Sequence, residues 1–367
     1  MYDIGRGKRA EKAYALNEVA IVPSKRTRDI DDVDLSWQID AVRLDFPLIA
    51  APMDSVMSPA TVIEVGRLGG LGVLNLEGLW TRYEDPDPIF AELAQIADPL
   101  AATRRLQQAY ARPIQPGLID LRLAEIRAAQ VPFAGSLSPK HVREHADRVV
   151  KGGVDFLVIR GTTVSAQHVS GTADSLDLAQ FIHGNDLPVI VGGCANYYTA
   201  LHLMRAGAAG ILVGFGGGAR RAIRKVLGIE VPMATALCDA AAARRDYLDE
   251  SGGRYVAVIA DGSISGSGDI AKALACGADA AMVGAPFARA VEAPGRGYHW
   301  GPEAWHPTLS RGIRAHVETI ATLEEILLGP SSIADGSMNL VGALRRTLAS
   351  TGYTDVKSFQ KAELVLV

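Results

Sequence analysis

From about residue 45 to residue 290, short apolar runs alternate with amphipathic stretches of helical period. Eight runs read as strands: residues 47–52, 70–75, 133–138, 156–161, 188–193, 210–215, 255–262 and 280–285. Most are continuous rather than alternating, the pattern of parallel strands buried on both faces. Four of them end in Gly or Pro, which turns the chain toward a following helix. The stretches between them include helices at 199–206, stopped by Gly207, and at 270–276, stopped by Gly277. Each has the glycine expected just past a helix C-terminus. Eight βα units closing on themselves predict an α/β fold, a (β/α)8 TIM barrel in a single domain with irregular loop insertions. An open, doubly wound sheet is the alternative that the pattern also allows.

This reading divides the chain into a lead-in (1–46), the barrel (47–329) and a C-terminal segment (330–367) expected to pack on the barrel. Two stretches break the rhythm. Residues 77–131 are long for one connection and too short for a second full-sized domain; they hold an acidic, proline-rich turn at 84–88 and predicted helices at 88–110 and 120–130. Residues 286–312 carry Pro286, Pro294, Pro302 and Pro307 with Tyr298, Trp300 and Trp305. A long irregular segment of this kind is a functional or a disordered loop, and its aromatics favour an active-site loop. The tail predicts a helix near 340–350 and ends in an apolar run at 362–367.

Composition narrows the function classes. The 367 residues are 48% hydrophobic and 21% charged, with a formal net charge of −4. That is ordinary globular usage, with no basic surface for nucleic acid and no sign of membrane adhesion. Three widely spaced cysteines, Cys194, Cys238 and Cys276, make neither a zinc site nor a disulfide framework, so no metal is expected on side chains. A reducing compartment is implied, and the first residues lack the apolar core of a signal peptide, so a cytoplasmic protein is expected. Cys238 and Cys276 fall in helical patterns and read as packed small hydrophobes.

In a barrel, chemistry sits at the C-terminal ends of the strands. After the first strand, Met53 can offer a flat apolar contact to a ligand ring or can simply be buried in a turn. After the sixth, Gly214, Gly216 and Gly218 precede Arg220, Arg221, Arg224 and Lys225. That loop can bind phosphate, ring a monovalent cation with its carbonyls, or be a solvated surface loop. After the seventh and eighth strands, Gly262, Ser263, Gly284 and Ala285 can supply backbone N–H groups for a phosphate cup. Asp261 stands where it can accept from ribose hydroxyls, or it caps a turn.

These motifs resemble the IMP dehydrogenase/GMP reductase family over nearly the whole chain. The opening at 16–23 and 33–36 is similar, as are Ala51-Pro52-Met53-Asp54-Ser55-Val56, the run Gly69-Gly70-Leu71-Gly72-Val73-Leu74, the ends of the last two strands and the stretch 339–345. The subgroup resembled is the bacterial branch lacking the regulatory pair of cystathionine-synthase-type repeats, for which 77–131 has no room. The resemblance implies a purine nucleoside monophosphate, with Met53 near the base, Asp261 on the ribose, and Gly262, Ser263, Gly284 and Ala285 on the phosphate. It also implies NAD, a potassium-like cation at the strand-six loop, a homotetramer, and a loop cysteine that attacks purine C2 while hydride is exchanged with nicotinamide.

The sequence departs from that pattern around the chemistry. Arg221 takes the place of the nucleophilic cysteine, and an arginine stays protonated. Ala219 replaces a serine expected at the phosphate. Arg160 stands where an aspartate is expected on the nicotinamide side, and Cys194 where an asparagine is expected. Among the cysteines only Cys194 lies at a strand mouth. Residues 310–312 match a base-reading Tyr-Arg-Gly loop only in part, and 313–338 is short for the family's mobile flap. Three readings follow: an NAD-dependent oxidoreductase of the IMP-to-XMP type, a catalytically silent or regulatory purine-nucleotide-binding protein, and a GMP reductase-like or flavin-dependent reaction on the same barrel.

Overall fold

A computed structural model of the chain describes residues 1–168, 176–215, 222–310 and 312–367. Eight parallel strands close into one barrel: β1 (Leu48–Ala50), β2 (Leu71–Asn75), β3 (Phe133–Leu137), β4 (Phe156–Arg160), β5 (Val189–Cys194), β6 (Gly210–Val213), β7 (Ala257–Asp261) and β8 (Ala280–Val283). Each pairs with its neighbours in sequence, and β8 closes on β1 through Val283 beside Ala50. The strands are buried almost end to end, as their unbroken apolar runs require.

All eight predicted strands are present, with ends moved by a few residues. β6 stops at Val213, two residues short of the expected end, because Gly214 turns to φ +113. A Cβ there would lie 2.3 Å from the Asp261 carbonyl oxygen, so only glycine fits where β6 meets the end of β7.

Helices follow the strands on the outside. α1 (Pro59–Arg67) starts in a capping box, where Ser58 Oγ accepts from Thr61 N at 3.1 Å and Thr61 Oγ1 accepts from Ser58 N at 2.6 Å. After β2 come α2 (Asp87–Gln95), α3 (Pro99–Ala111) and α4 (Pro116–Ala128). The single helix expected over 88–110 is therefore broken. Pro99 disfavours helical backbone at Asp98, which instead caps α3 by accepting from Ala101 N. The next helices are α5 (Pro139–Gly152), α6 (Leu178–His183), α7 (Tyr197–Arg205), α8 (Ala222–Leu227), α9 (Met233–Glu250) and α10 (Ser267–Ala275). α11 (Leu323–Leu328), α12 (Leu340–Ser350) and α13 (Val356–Phe359) follow β8.

The lead-in plugs the barrel from below. Its hairpin, Trp37–Ile39 against Val42–Leu44, buries Trp37, Ile39 and Leu44, and Ile39 reaches the start of β6 at Gly210. The C-terminal Leu364–Leu366 pairs antiparallel with Val19–Ile21. A second, smaller core joins the β2 insertion to the loop after β8, with Leu79, Phe90, Leu93, Leu106 and Tyr110 packed around Trp300. Tyr110 also stacks on Trp305 at 4.5 Å. That core holds 286–312 in place despite its lack of periodicity. Among the described residues, no helix is long and apolar enough to cross a membrane.

Candidate functional site

The upper end of the barrel gathers most of the predicted site residues. Asp261 ends β7 and is 3% exposed. The two residues after it turn left-handed, Gly262 at φ +105 and Ser263 at φ +58. A non-glycine residue held in that region stores backbone strain, which persists where surrounding structure demands the turn. Beside them, after β8, Gly284 faces Met53 from β1: a Cβ at Gly284 would lie 3.4 Å from Met53 Sδ and 3.7 Å from His299 Cε1. Met53 is buried there, while Gly284 and Ala285 are partly open. The N-terminus of α10 is partly covered, since Ser267 N donates to the Gly336 carbonyl at 2.8 Å.

Arg160 comes from the far side of the mouth, at the end of β4. It donates from Nε to Asp261 Oδ2 at 3.0 Å and from Nη2 to Oδ1 at 3.4 Å. Both side chains are buried, at 10% and 4% exposure. Burial disfavours the guanidinium charge, but Asp261 outweighs it, with a smaller contribution from Glu303, and the Arg160 pKa is raised. The carboxylate expected to meet a ribose is thus already bound to the arginine that stands at a departed family position. Sequence spacing gave no signal for this pairing, because β4 and β7 are not neighbours in the sheet.

A cleft of about 530 Å³ opens beside Arg160 over the ends of β2, β3 and β4, under the 302–307 segment. Asn75, Ser136, His141, Glu303 and Trp305 line it. His141 Nδ1 lies 2.9 Å from Glu77 Oε2. Burial pushes the Glu77 carboxyl up, but His141 and the Ser138 N–H outweigh it and hold it below the ordinary range. A larger groove of about 840 Å³ lies between α4 and α5, on the outer wall and away from the strand ends. Arg148 pairs with Asp120 in it, and barrel chemistry does not sit there.

Cys194 ends β5 as expected, but it does not face the mouth as a nucleophile would. Its thiol donates to the Leu212 carbonyl at 3.5 Å, and burial pushes its pKa up to about 12. Cys238 corrects another expectation, since it is exposed on α9 rather than packed; Cys276 is buried. Gly214 is described, and its carbonyl oxygen occupies the space a Cβ at Gly193 would need. Gly216, Gly218, Ala219, Arg220, Arg221 and Arg311 lie outside the described residues. Among the described residues, no cluster of His, Cys, Asp and Glu could hold a metal ion.

Sequence reasoning missed a buried polar knot next to Met53. Asp54 accepts from Tyr110 Oη at 2.5 Å, Leu79 N at 3.0 Å and Asn75 Nδ2 at 3.3 Å. Tyr110 Oη in turn accepts from Trp300 Nε1 at 3.1 Å. Burial raises the Asp54 pKa to about 6 against those hydrogen bonds. Ser55 Oγ accepts from Trp300 N and donates to Trp300 O, both at 3.1 Å, and lies 3.2 Å from His299 Nδ1. Burial lowers His299 to about 4, so a neutral imidazole faces Gly284. The adjacent Asp54-Ser55 pair past a strand end was the available signal.

Comparisons with known proteins agree with this architecture. A family model described as the IMP dehydrogenase / GMP reductase domain matches residues 13–304. An uncharacterized oxidoreductase of Mycolicibacterium smegmatis is 49% identical over all of both chains, and one of Mycobacterium tuberculosis is 48% identical over the same extent. Inosine-5'-monophosphate dehydrogenase of Methanocaldococcus jannaschii is 23% identical, covering 98% of this chain and 93% of its own. The crystal structure of an IMP dehydrogenase/GMP reductase-like protein from Corynebacterium glutamicum superposes with a TM-score of 0.95 at 48% identity, covering 100% of this chain and 97% of its own. With a matched model spanning most of its length and relatives aligned from end to end, this chain belongs to the IMP dehydrogenase/GMP reductase domain family.

Proposed function

We propose that this protein binds a purine nucleoside monophosphate over the ends of β7 and β8, and that the covalent oxidation at purine C2 does not run on it. The observation that supports this most directly is the grouping of Met53, Gly284 and Asp261 at one end of the barrel, next to the left-handed Gly262–Ser263 turn. In this reading Met53 lies against the base. Asp261 accepts from the ribose hydroxyls. The backbone of Gly262, Ser263, Gly284 and Ala285 meets the phosphate. Arg160 pairs with Asp261 in a buried setting and leaves its carboxylate shared between the guanidinium and the sugar. A homotetramer is part of the same proposal.

Covalent oxidation needs a thiolate. Cys194, with its pKa near 12 and its thiol turned to Leu212, does not supply one. At the loop position, Arg221 carries a side chain that does not attack carbon. The protein is therefore read as a silent or regulatory nucleotide binder.

A second reading, NAD-dependent oxidation of the IMP-to-XMP type, is favoured by relatives named oxidoreductases and by the 530 Å³ cleft beside Arg160. The oxidised nicotinamide ring is cationic, however, and where the resemblance expects an aspartate beside it this chain has Arg160, paired with Asp261, so β4 offers that ring no carboxylate. Titration calorimetry with IMP, GMP and XMP separates these readings when paired with an NADH assay in IMP, NAD and potassium. Saturable binding without NADH above a no-enzyme control is expected. Absence of binding by all three nucleotides removes the proposal, and steady NADH formation establishes the second reading.

A further inference from the structure

Two of the three cysteines sit together on the outer wall, away from the barrel mouth. Cys238 is exposed on α9, and Cys276 is buried at the C-terminal end of α10. The C-terminal end of α10 rests closely against the side of α9. Gly277, at φ +108, has no room for a side chain: a Cβ there would lie 2.5 Å from Ala241 Cβ. Ala241 is three residues beyond Cys238, so both occupy the helix face on which residues 276–277 rest. The two side chains adjoin, and each acts on the titration of the other. Cys276, aided by Arg245 and opposed by burial and Asp239, brings the Cys238 thiol down to about 7. Its neighbour is pushed the other way, by Cys238 and by burial, with Lys272 opposing. An accessible, acidified thiol beside a buried second thiol is the arrangement found in reversible thiol chemistry.

We propose that Cys238 and Cys276 form a thiol modification site, in which Cys238 takes low-molecular-weight disulfides and Cys276 resolves the adduct into an internal disulfide. The Cys238 thiolate attacks one sulfur of the small disulfide, breaks its S–S bond and releases one thiol. Cys276 loses its proton to solvent, attacks the Cys238 sulfur and releases the second thiol. Two protein S–H groups are oxidised, and one small disulfide is reduced to two thiols. Cys194, buried at the end of β5, takes no part.

The test exposes the folded full-length protein to glutathione disulfide, blocks remaining thiols with iodoacetamide in denaturant so that buried Cys276 is reached, and maps the peptides by mass spectrometry. A Cys238–Cys276 linked peptide that disappears with dithiothreitol is expected. Before oxidation, Cys238 should alkylate at pH 7 about threefold faster than an ordinary exposed thiol, since its larger thiolate fraction outweighs its lower intrinsic nucleophilicity. In Cys276→Ala the adduct should persist on Cys238, and in Cys238→Ser the Cys276 thiol should stay alkylatable. Two results in the wild type overturn the proposal. One is glutathione retained on Cys238 with Cys276 still alkylatable. The other is both thiols unchanged under conditions that oxidise a small reference dithiol.

Discussion

Arg160 and Asp261 form an ion pair across the barrel mouth, between strands that never touch. Taking either charge out of water is costly, and the pair persists because each desolvated group keeps its partner. Removing one partner leaves the other buried and unpaired. Arg160→Ala is therefore expected to lower unfolding stability by about 3–5 kcal/mol. Arg160→Lys should recover only part of this, since an ammonium cannot make the two-pronged contact. Urea unfolding measures both, and a loss under about 1 kcal/mol for the alanine variant would show that the pair is not a structural tie. Gly214 is a second position where one residue decides the mouth. With φ +113 and the Asp261 carbonyl 2.3 Å from any Cβ, Gly214→Ala is expected to cost several kcal/mol, read as a lower unfolding midpoint. Near-wild-type stability would mean that the end of β7 can shift.

Among the elements, the β2 insertion and the segment after β8 act as one body. Both interrupt the βα alternation of the sequence, and they pack against each other through Trp300, Tyr110 and Phe90. Asp54 ties both to β1. Its folded pKa of about 6 lies above the ordinary 3.8, so folding favours the protonated acid. That contribution is complete below about pH 4 and is lost as pH rises through 6, a change of roughly 3 kcal/mol. Backbone hydrogen exchange over 296–310, corrected for intrinsic rates, should therefore accelerate between pH 5 and pH 7. Asp54→Asn should flatten that dependence; an equal slope in the variant would place the titrating group elsewhere. This knot also marks where element-level reading of the sequence stopped. The apolar runs located all eight strands because burial on both faces leaves a local signature. The break at Asp98-Pro99 was locally legible too, but the helical periodicity on either side masked it. The partnership of Tyr110 with Trp300 is 190 residues long-range and has no local trace.

For the whole molecule, closure of the barrel is what turns scattered residues into a site. Met53, Asp261 and Gly284 could be placed at strand ends from the sequence, since βα order fixes which end each occupies. The Arg160–Asp261 pairing could not, because 101 residues and three strand positions separate the two groups until the sheet closes. Family membership carries the fold, whereas activity depends on side chains at the mouth, and there the chain has an ion pair and a turned-away thiol. In the proposed complex a nucleoside monophosphate rests its ribose on Asp261. Calorimetric titration of the wild-type protein with IMP and with its 2′,3′-dideoxy analogue tests this directly. Hydrogen bonds to a buried carboxylate should make IMP bind at least about tenfold more tightly, a gap that shrinks in Asp261→Asn. Equal affinities for the two ligands in the wild type would show that the ribose does not rest on Asp261.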